Sequence, residues 1–215
     1  MIELLCQLLD GLNLTGDIGR DVPAFLNHHG RPKTAVHSAT VAAEARRIAG
    51  MVSVPGSLAE LGGWLHDVSA VFPPAERLAA AKALGIELLP EEEAFPLIIH
   101  QKLSVVLARE LFGVVDPGVL SAIGCHTTLR ANATNLDKVV FIADKIAWDQ
   151  PGVPPYREEL LAALDRSLDE AAFFFLRYLW ERRDTLKALH PWLREAYEQL
   201  YALRKAGDQP ERKRS

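Results

Sequence analysis

Two cysteines in 215 residues leave no material for a disulfide scaffold. Cys6 and Cys125 could form at most one bridge in a chain large enough to fold without it, so reduced thiols are expected, and Cys125, beside His126, is open as a metal ligand. No run of about eighteen apolar residues exists, which excludes the usual signature of a membrane-spanning helix. The opening "MIELLCQLLDGLNLTGDIGR" lacks the basic start and long apolar stretch of a secretory signal, so the expected location is the cytoplasm. Positive charge is not in excess either. With 24 Lys and Arg against 28 Asp and Glu, the net charge of -4 argues against a dedicated nucleic-acid binder. Any anionic ligand must be held by local charges.

Strand-type alternation, internal repeats and low-complexity segments are missing as well, and helical periodicity dominates, so the expected class is all-α. A content of 49% hydrophobic residues suffices for one sizeable core. The expected division is an N-terminal helical extension over 1–30, one main helical domain over 31–200 and a polar tail over 201–215. In "VHSATVAAEARRIAG" Val36, Val41, Ala45 and Ile48 form the apolar repeat, and Gly50 follows as a stop. "SLAELGGWLHD" predicts a helix capped by Ser57, in which Gly62 and Gly63 permit close backbone approach. "PPAERLAAAKALG" reads as a short amphipathic helix and "PEEEAF" as an exposed loop or first turn, and neither suggests chemistry. "PLIIHQKLSVVLARELFG" predicts the longest clear helix, Asp116 and Pro117 open the next, and Asn135 caps "NLDKVVFIADKIAW". After the loop "DQPGVPPY", helices follow from about Arg157 to Glu181 and in "PWLREAYEQLYALRKAG".

Six polar residues contradict this apolar pattern. His37, His66, His100 and His126 fall within or at the ends of apolar helices, as do Asp67 and Asp144. A buried carboxylate costs several kcal/mol unless paired or bound to a cation. Any one of these residues has an ordinary structural explanation, but six together match the donor set of a helical metal site. A nitrogen and oxygen mixture suits iron, manganese, zinc or cobalt better than calcium. His66 and Asp67 diverge by about 100° on a helix, so they share a centre only at a helix end or when Asp67 bridges two ions.

The order His37, His66-Asp67 and Asp144 resembles the H…HD…D set of the HD-domain metal-dependent phosphohydrolases, an all-helical superfamily. "VHSATVAAEARRIA", "LGGWLHD", "IIHQKLSVVLARELFG", "AIGCHTTLR", "LDKVVFIADKI" and "LHPWLREAY" are similar in type and order to its YqeK-like branch, the symmetrical bis(5'-nucleosyl)-tetraphosphatases. The resemblance runs from about His37 to Tyr197. It implies that His37, His66, Asp67 and Asp144 hold one divalent ion and that His100 and His126 add a second, bridged by Asp67. Iron is the implied metal, with Mn, Zn or Co as alternatives.

The chain departs from that branch at several positions. Ala70 stands where a lysine usually follows the HD pair, Leu129 replaces the glycine of "HTTGR", and Ala147, Trp148 and Gln150 replace residues of "ADxIEPxR". The metal ligands are kept while phosphate-facing groups change. The resemblance implies hydrolysis of a nucleotide phosphoanhydride by a metal-bridging hydroxide, with diadenosine tetraphosphate cleaved symmetrically to ADP as the leading substrate. The catalytic set is then Asp67, Asp144 and Arg130, and the substrate contacts are Arg130, Lys138 and Thr127, with Lys102 and Lys145 behind them. Alternatives are another HD-type nucleotidase or phosphodiesterase, or a non-catalytic nucleotide-binding sensor. No nucleic-acid or membrane partner is expected, and a homodimer is a plausible assembly. His28, His29 and His190 are assigned no ligand role, "FFFLRYLW" is read as core, and Trp148 is noted as able to stack on a base.

Overall fold

The structure, a computed structural model, describes residues 2–207, and every described element is helix, turn or loop. Twelve α-helices follow one another among these residues: α1 (Ile2–Leu8), α2 (Ile18–His28), α3 (Pro32–Ala49), α4 (Gly56–Leu65), α5 (Arg77–Ala83), α6 (Pro90–Ala94), α7 (His100–Glu110), α8 (Pro117–Cys125), α9 (Asn135–Ile146), α10 (Arg157–Arg166), α11 (Leu168–Trp180) and α12 (Pro191–Gly207). The all-α expectation holds. The last eight residues of the expected polar tail, 208–215, lie outside the described residues. Among the described residues no helix is long and apolar enough to cross a membrane.

Helix starts follow local chemistry more closely than the bare sequence suggests. Asp116 caps α8 as expected, its Oδ1 accepting the N–H groups of Gly118 and Val119. The cap of α9 is Thr134 rather than Asn135, because Thr134 and Asp137 form a reciprocal capping box. Ser57 does not cap α4, which begins at Gly56 after Pro55. The long helix expected over "PLIIHQKLSVVLARELFG" is divided: a 3-10 turn spans Pro96–Ile99, and α7 starts at His100. The "PEEEAF" segment forms α6, and Glu92 in it is fully buried rather than exposed.

The core joins α3, α4, α7, α8, α9, α10, α11 and α12 through residues such as Val41, Ile48, Leu65, Leu103, Ile123, Phe141, Leu160, Leu176 and Ala196. The aromatic run of α11 belongs to it, with Phe173 and Phe175 buried. Val36 departs from its expected place in the apolar repeat. It is 69% exposed while Val41, Ala45 and Ile48 are buried, because a five-residue step from 41 back to 36 leaves the buried face of α3.

Two glycines set the spacing around α4, which packs against α3, α8 and α9. A Cβ on Gly63 would stand 2.6 Å from Cα of Ala42 on α3, and one on Gly62 would stand 2.9 Å from Cγ2 of Val140 on α9. Only hydrogen fits at Gly63, where backbone is the obstacle. Leu129 answers for one of the departures noted above. Its φ of 53° is left-handed, a conformation that favours glycine, yet its side chain is fully buried. Burial of a leucine stabilises by about 1.5–3 kcal/mol against roughly 1–2 kcal/mol for the backbone, so leucine is tolerated.

Candidate metal centre

All six polar outliers converge. His37 comes from α3, His66 and Asp67 from the end of α4, His100 from the start of α7, His126 from the end of α8 and Asp144 from the last turn of α9. The close approach at Gly62 and Gly63 is what lets the end of α4 meet both α3 and α9.

Three of the imidazoles are held in one way. Nδ1 of His66, His100 and His126 lies 2.8, 2.6 and 2.8 Å from the carbonyl oxygens of Gly63, Leu97 and Ile123, each three residues earlier. A carbonyl can only accept, so each Nδ1 carries the proton and each Nε2 keeps a lone pair when the ring is neutral. Those Nε2 atoms face one another and the carboxylates. Nε2 of His37 and His66 are 3.3 Å apart, and Nε2 of His100 and His126 are 3.0 Å apart.

The carboxylates divide the cluster into two halves. Asp67 Oδ2 lies 3.6 Å from His66 Nε2, whereas its Oδ1 lies 3.4 Å from His100 Nε2 and 3.5 Å from His126 Nε2. Asp144 Oδ1 lies 3.1 Å from His37 Nε2 and 3.6 Å from His66 Nε2. His37, His66 and Asp67 form one group able to hold a metal ion, and Asp67, His100 and His126 form another, with ligand atoms in each within 4.8 Å. Adjacent ligands about 2.1 Å from one ion stand roughly 3.0–3.4 Å apart, so the donors fit a metal in chemistry and spacing. Asp67 is the shared member. Leaving α4 after Leu65 lets it turn alongside His66 rather than point away.

Electrostatics maintain the anionic oxygens. Burial pushes the Asp67 carboxyl upward, but the charge of His66 and the nearby His126 and His100 outweigh it and hold the group well below the usual carboxylate range. Burial acts in the same direction on Asp144 and is outweighed by Lys145, His37 and His66. Burial also pulls His66 down, but Asp67 and Asp144 raise it to about 9. At His100 burial prevails and lowers the ring to about 4, and His126 is lowered for the same reason.

Several side chains around the cluster were ranked low or missed in the sequence. Lys145 Nζ lies 2.5 Å from Asp144 Oδ2 and 3.2 Å from the His126 carbonyl oxygen. Thr127 lies beside the cluster, its Oγ1 2.9 Å from His100 Nε2 and 3.1 Å from His126 Nε2. Buried Gln101 accepts the Thr127 N–H and so holds the backbone at that residue. Arg77, from a helix to which no chemistry was assigned, donates through Nη1 to the Leu97 oxygen that also receives His100 Nδ1–H. Only the spatial neighbours of these residues reveal them.

Arg130 and Lys138 are not brought to the cluster. Arg130 donates to Ser121 Oγ and sits 3.8 Å from Asp137, about 10 Å along α9 from Asp144. Lys138 pairs with Asp169, and both basic residues line a separate cavity with Gln199. Lys102 is engaged by Glu92. Cys125 is a free, buried thiol raised in pKa by burial, and it joins neither metal-capable group. His29 contacts the Leu8 carbonyl oxygen and His190 contacts Glu92.

Comparisons with known proteins agree with this geometry. A family model described as HD domain matches residues 34–149. An uncharacterized protein in the pepC 5'region of Lactococcus lactis subsp. cremoris is 50% identical over 144 residues, spanning 67% of this chain and 73% of that protein. Symmetrical bis(5'-nucleosyl)-tetraphosphatases are also similar. The Staphylococcus aureus protein is 31% identical over 64% of this chain and 70% of its own length. The Bacillus subtilis protein is 27% identical over 66% of this chain and 79% of its own length. Among solved structures, a predicted HD superfamily hydrolase involved in NAD metabolism from Clostridium acetobutylicum superposes with a TM-score of 0.77 at 27% identity, covering 85% of this chain and 96% of that one.

Proposed function

This chain belongs to the HD-domain family of hydrolases, and from that premise we propose that it hydrolyses a nucleotide phosphoanhydride, with diadenosine tetraphosphate as substrate and ADP as product. The observation that carries the metal-dependent reading is the shared orientation of His66, His100 and His126. Each gives Nδ1 to a carbonyl and turns Nε2 towards Asp67 or Asp144. In this reading His37, His66, Asp67 and Asp144 hold one divalent ion, and Asp67, His100 and His126 hold the second.

When bound, the two ions, iron first among candidates, would supply Lewis acidity and lower the pKa of a water. The protein's groups do the rest. Asp144, kept anionic by Lys145 and His37, orients the attacking water and accepts a hydrogen bond from it at a carboxylate oxygen. Lys145 Nζ, 2.5 Å from that carboxylate, is a cation able to meet phosphoryl oxygens there. The hydroxyl of Thr127, whose backbone is held by Gln101, donates to an oxygen of the phosphate chain. Water oxygen bonds to phosphorus as the water gives up a proton to solvent, the bridging P–O bond breaks, and the departing nucleoside diphosphate takes the electron pair.

Product analysis tests the reading. Iron- or manganese-loaded protein given diadenosine tetraphosphate should release ADP alone. AMP with ATP would mean asymmetric cleavage, and no turnover by fully loaded protein would eliminate this substrate.

A further inference from the structure

Beside the cluster lies a cavity of about 640 Å³, and His37 is one of its walls. This volume falls within the range of small-molecule sites. Its lining is mostly apolar: Val36 from α3, and Ala147 and Trp148 just beyond α9. Two of these side chains are large, hydrophobic and open to solvent, Val36 at 69% and Trp148 at 40% exposed. Trp148 is nonetheless supported. Its indole meets Tyr156 edge-on, with ring centroids 6.2 Å apart and planes at 86°, and Tyr156 in turn meets Phe175 of the core edge-on at 4.9 Å. The Tyr156 hydroxyl donates to the carbonyl oxygen of Lys145, which ties the platform to the residue next to Asp144.

The polar groups at the rim divide: Lys33 of α3 offers a positive charge, while Asp149 and Gln150 are unsuited to phosphate. Asp149 and Gln150 line the cavity and are hydrogen-bonded to each other, Gln150 Nε2 donating to Asp149 Oδ1 at 2.9 Å. A carboxylate repels a phosphoryl group but accepts from an amino group, and an amide does both kinds of hydrogen bonding. An aromatic face, apolar walls and the Asp149–Gln150 edge are complementary to a nucleobase, with Lys33 as the cation of the same lining. We propose that this cavity holds one base of the nucleotide substrate, stacked on Trp148, and that Trp148 sets preference for a base-bearing substrate over a bare polyphosphate. The inference rests on the nucleotide reading above. The base beside His37 directs its phosphates towards Asp144 and Lys145, and the remainder of the substrate leaves on the His100 side.

Calorimetric titration with adenosine tests the base site without turnover, and inorganic tripolyphosphate serves as a base-free probe. Adenosine should bind the metal-loaded protein, Trp148→Ala should weaken it about 10-fold, and Trp148→Phe should retain most of the affinity. Tripolyphosphate affinity should be the same in all three proteins. Thermal midpoints of the variants, matched to the unsubstituted protein, establish that folding is intact. Equal adenosine affinity in Trp148→Ala, or no adenosine binding at millimolar concentration, would overturn the proposal. Failure to hydrolyse diadenosine tetraphosphate with adenosine binding intact would instead remove that substrate and leave the base site standing.

Discussion

Lys145 and Arg130 show at single residues what separates a legible site from an illegible one. The six candidate ligands could be picked from the sequence because each is an ionisable group in an apolar helix, an expense that demands a partner wherever the chain folds. Basic residues carry no such signal, since a solvated helix face accepts them freely. Arg130 stood out by its place in the "HTTLR" segment, but its guanidinium is engaged by Ser121 and Asp137, whereas Lys145 reaches Asp144. Lys145→Ala is therefore expected to lower kcat/KM on the order of 100-fold while metal content is unchanged, read by steady-state kinetics with elemental analysis. Arg130→Ala should do the reverse, modestly lowering the thermal midpoint by removing the cation beside buried Asp137 while KM stays near its original value. A large KM rise in Arg130→Ala would return that residue to the substrate.

Among the elements, α3, α8, α9 and α12 were readable from periodicity and punctuation, and α12 runs over the stretch expected. The division of Pro96–Glu110 into a 3-10 turn and α7 was not, because the apolar run continues through it. That break matters, since it leaves the Leu97 carbonyl oxygen free for both His100 Nδ1 and Arg77. The glycine pair of α4 was readable as a close approach, though not which helices approach. Gly63→Ala drives a Cβ into the α3 backbone and should destabilise by about 3 kcal/mol, seen as a lowered denaturant midpoint. It should also weaken metal binding, because the Gly63 carbonyl oxygen holds His66. Unchanged stability would mean that α3 and α4 are not packed as described.

Across the whole molecule, a buried network fastens the C-terminal segment to the helices in front of the cluster. Glu92 of α6 is 3.2 Å from His190 Nε2 and 2.6 Å from Lys102 Nζ of α7, three residues that no sequence pattern links. Burial raises the Glu92 pKa, but His190, the Leu89 N–H and Lys102 outweigh it and hold the carboxyl below its ordinary 4.5. A depressed carboxylate stabilises the fold above the unfolded-state value, and that stability disappears as pH falls through the folded-state value. Glu92→Gln should cost about 3 kcal/mol at neutral pH and flatten the acid limb of the stability curve, measured by denaturation from pH 7 to 3. An unaltered acid limb would place acid sensitivity elsewhere. The centre itself is the point where four helices and the turn after α4 deliver the candidate ligands, and the most direct measurement of it is anomalous scattering from crystals of the metal-loaded protein. Two peaks are predicted on either side of Asp67, one among His37, His66 and Asp144 and one between His100 and His126. Full metal content with no peak at either position would contradict the account.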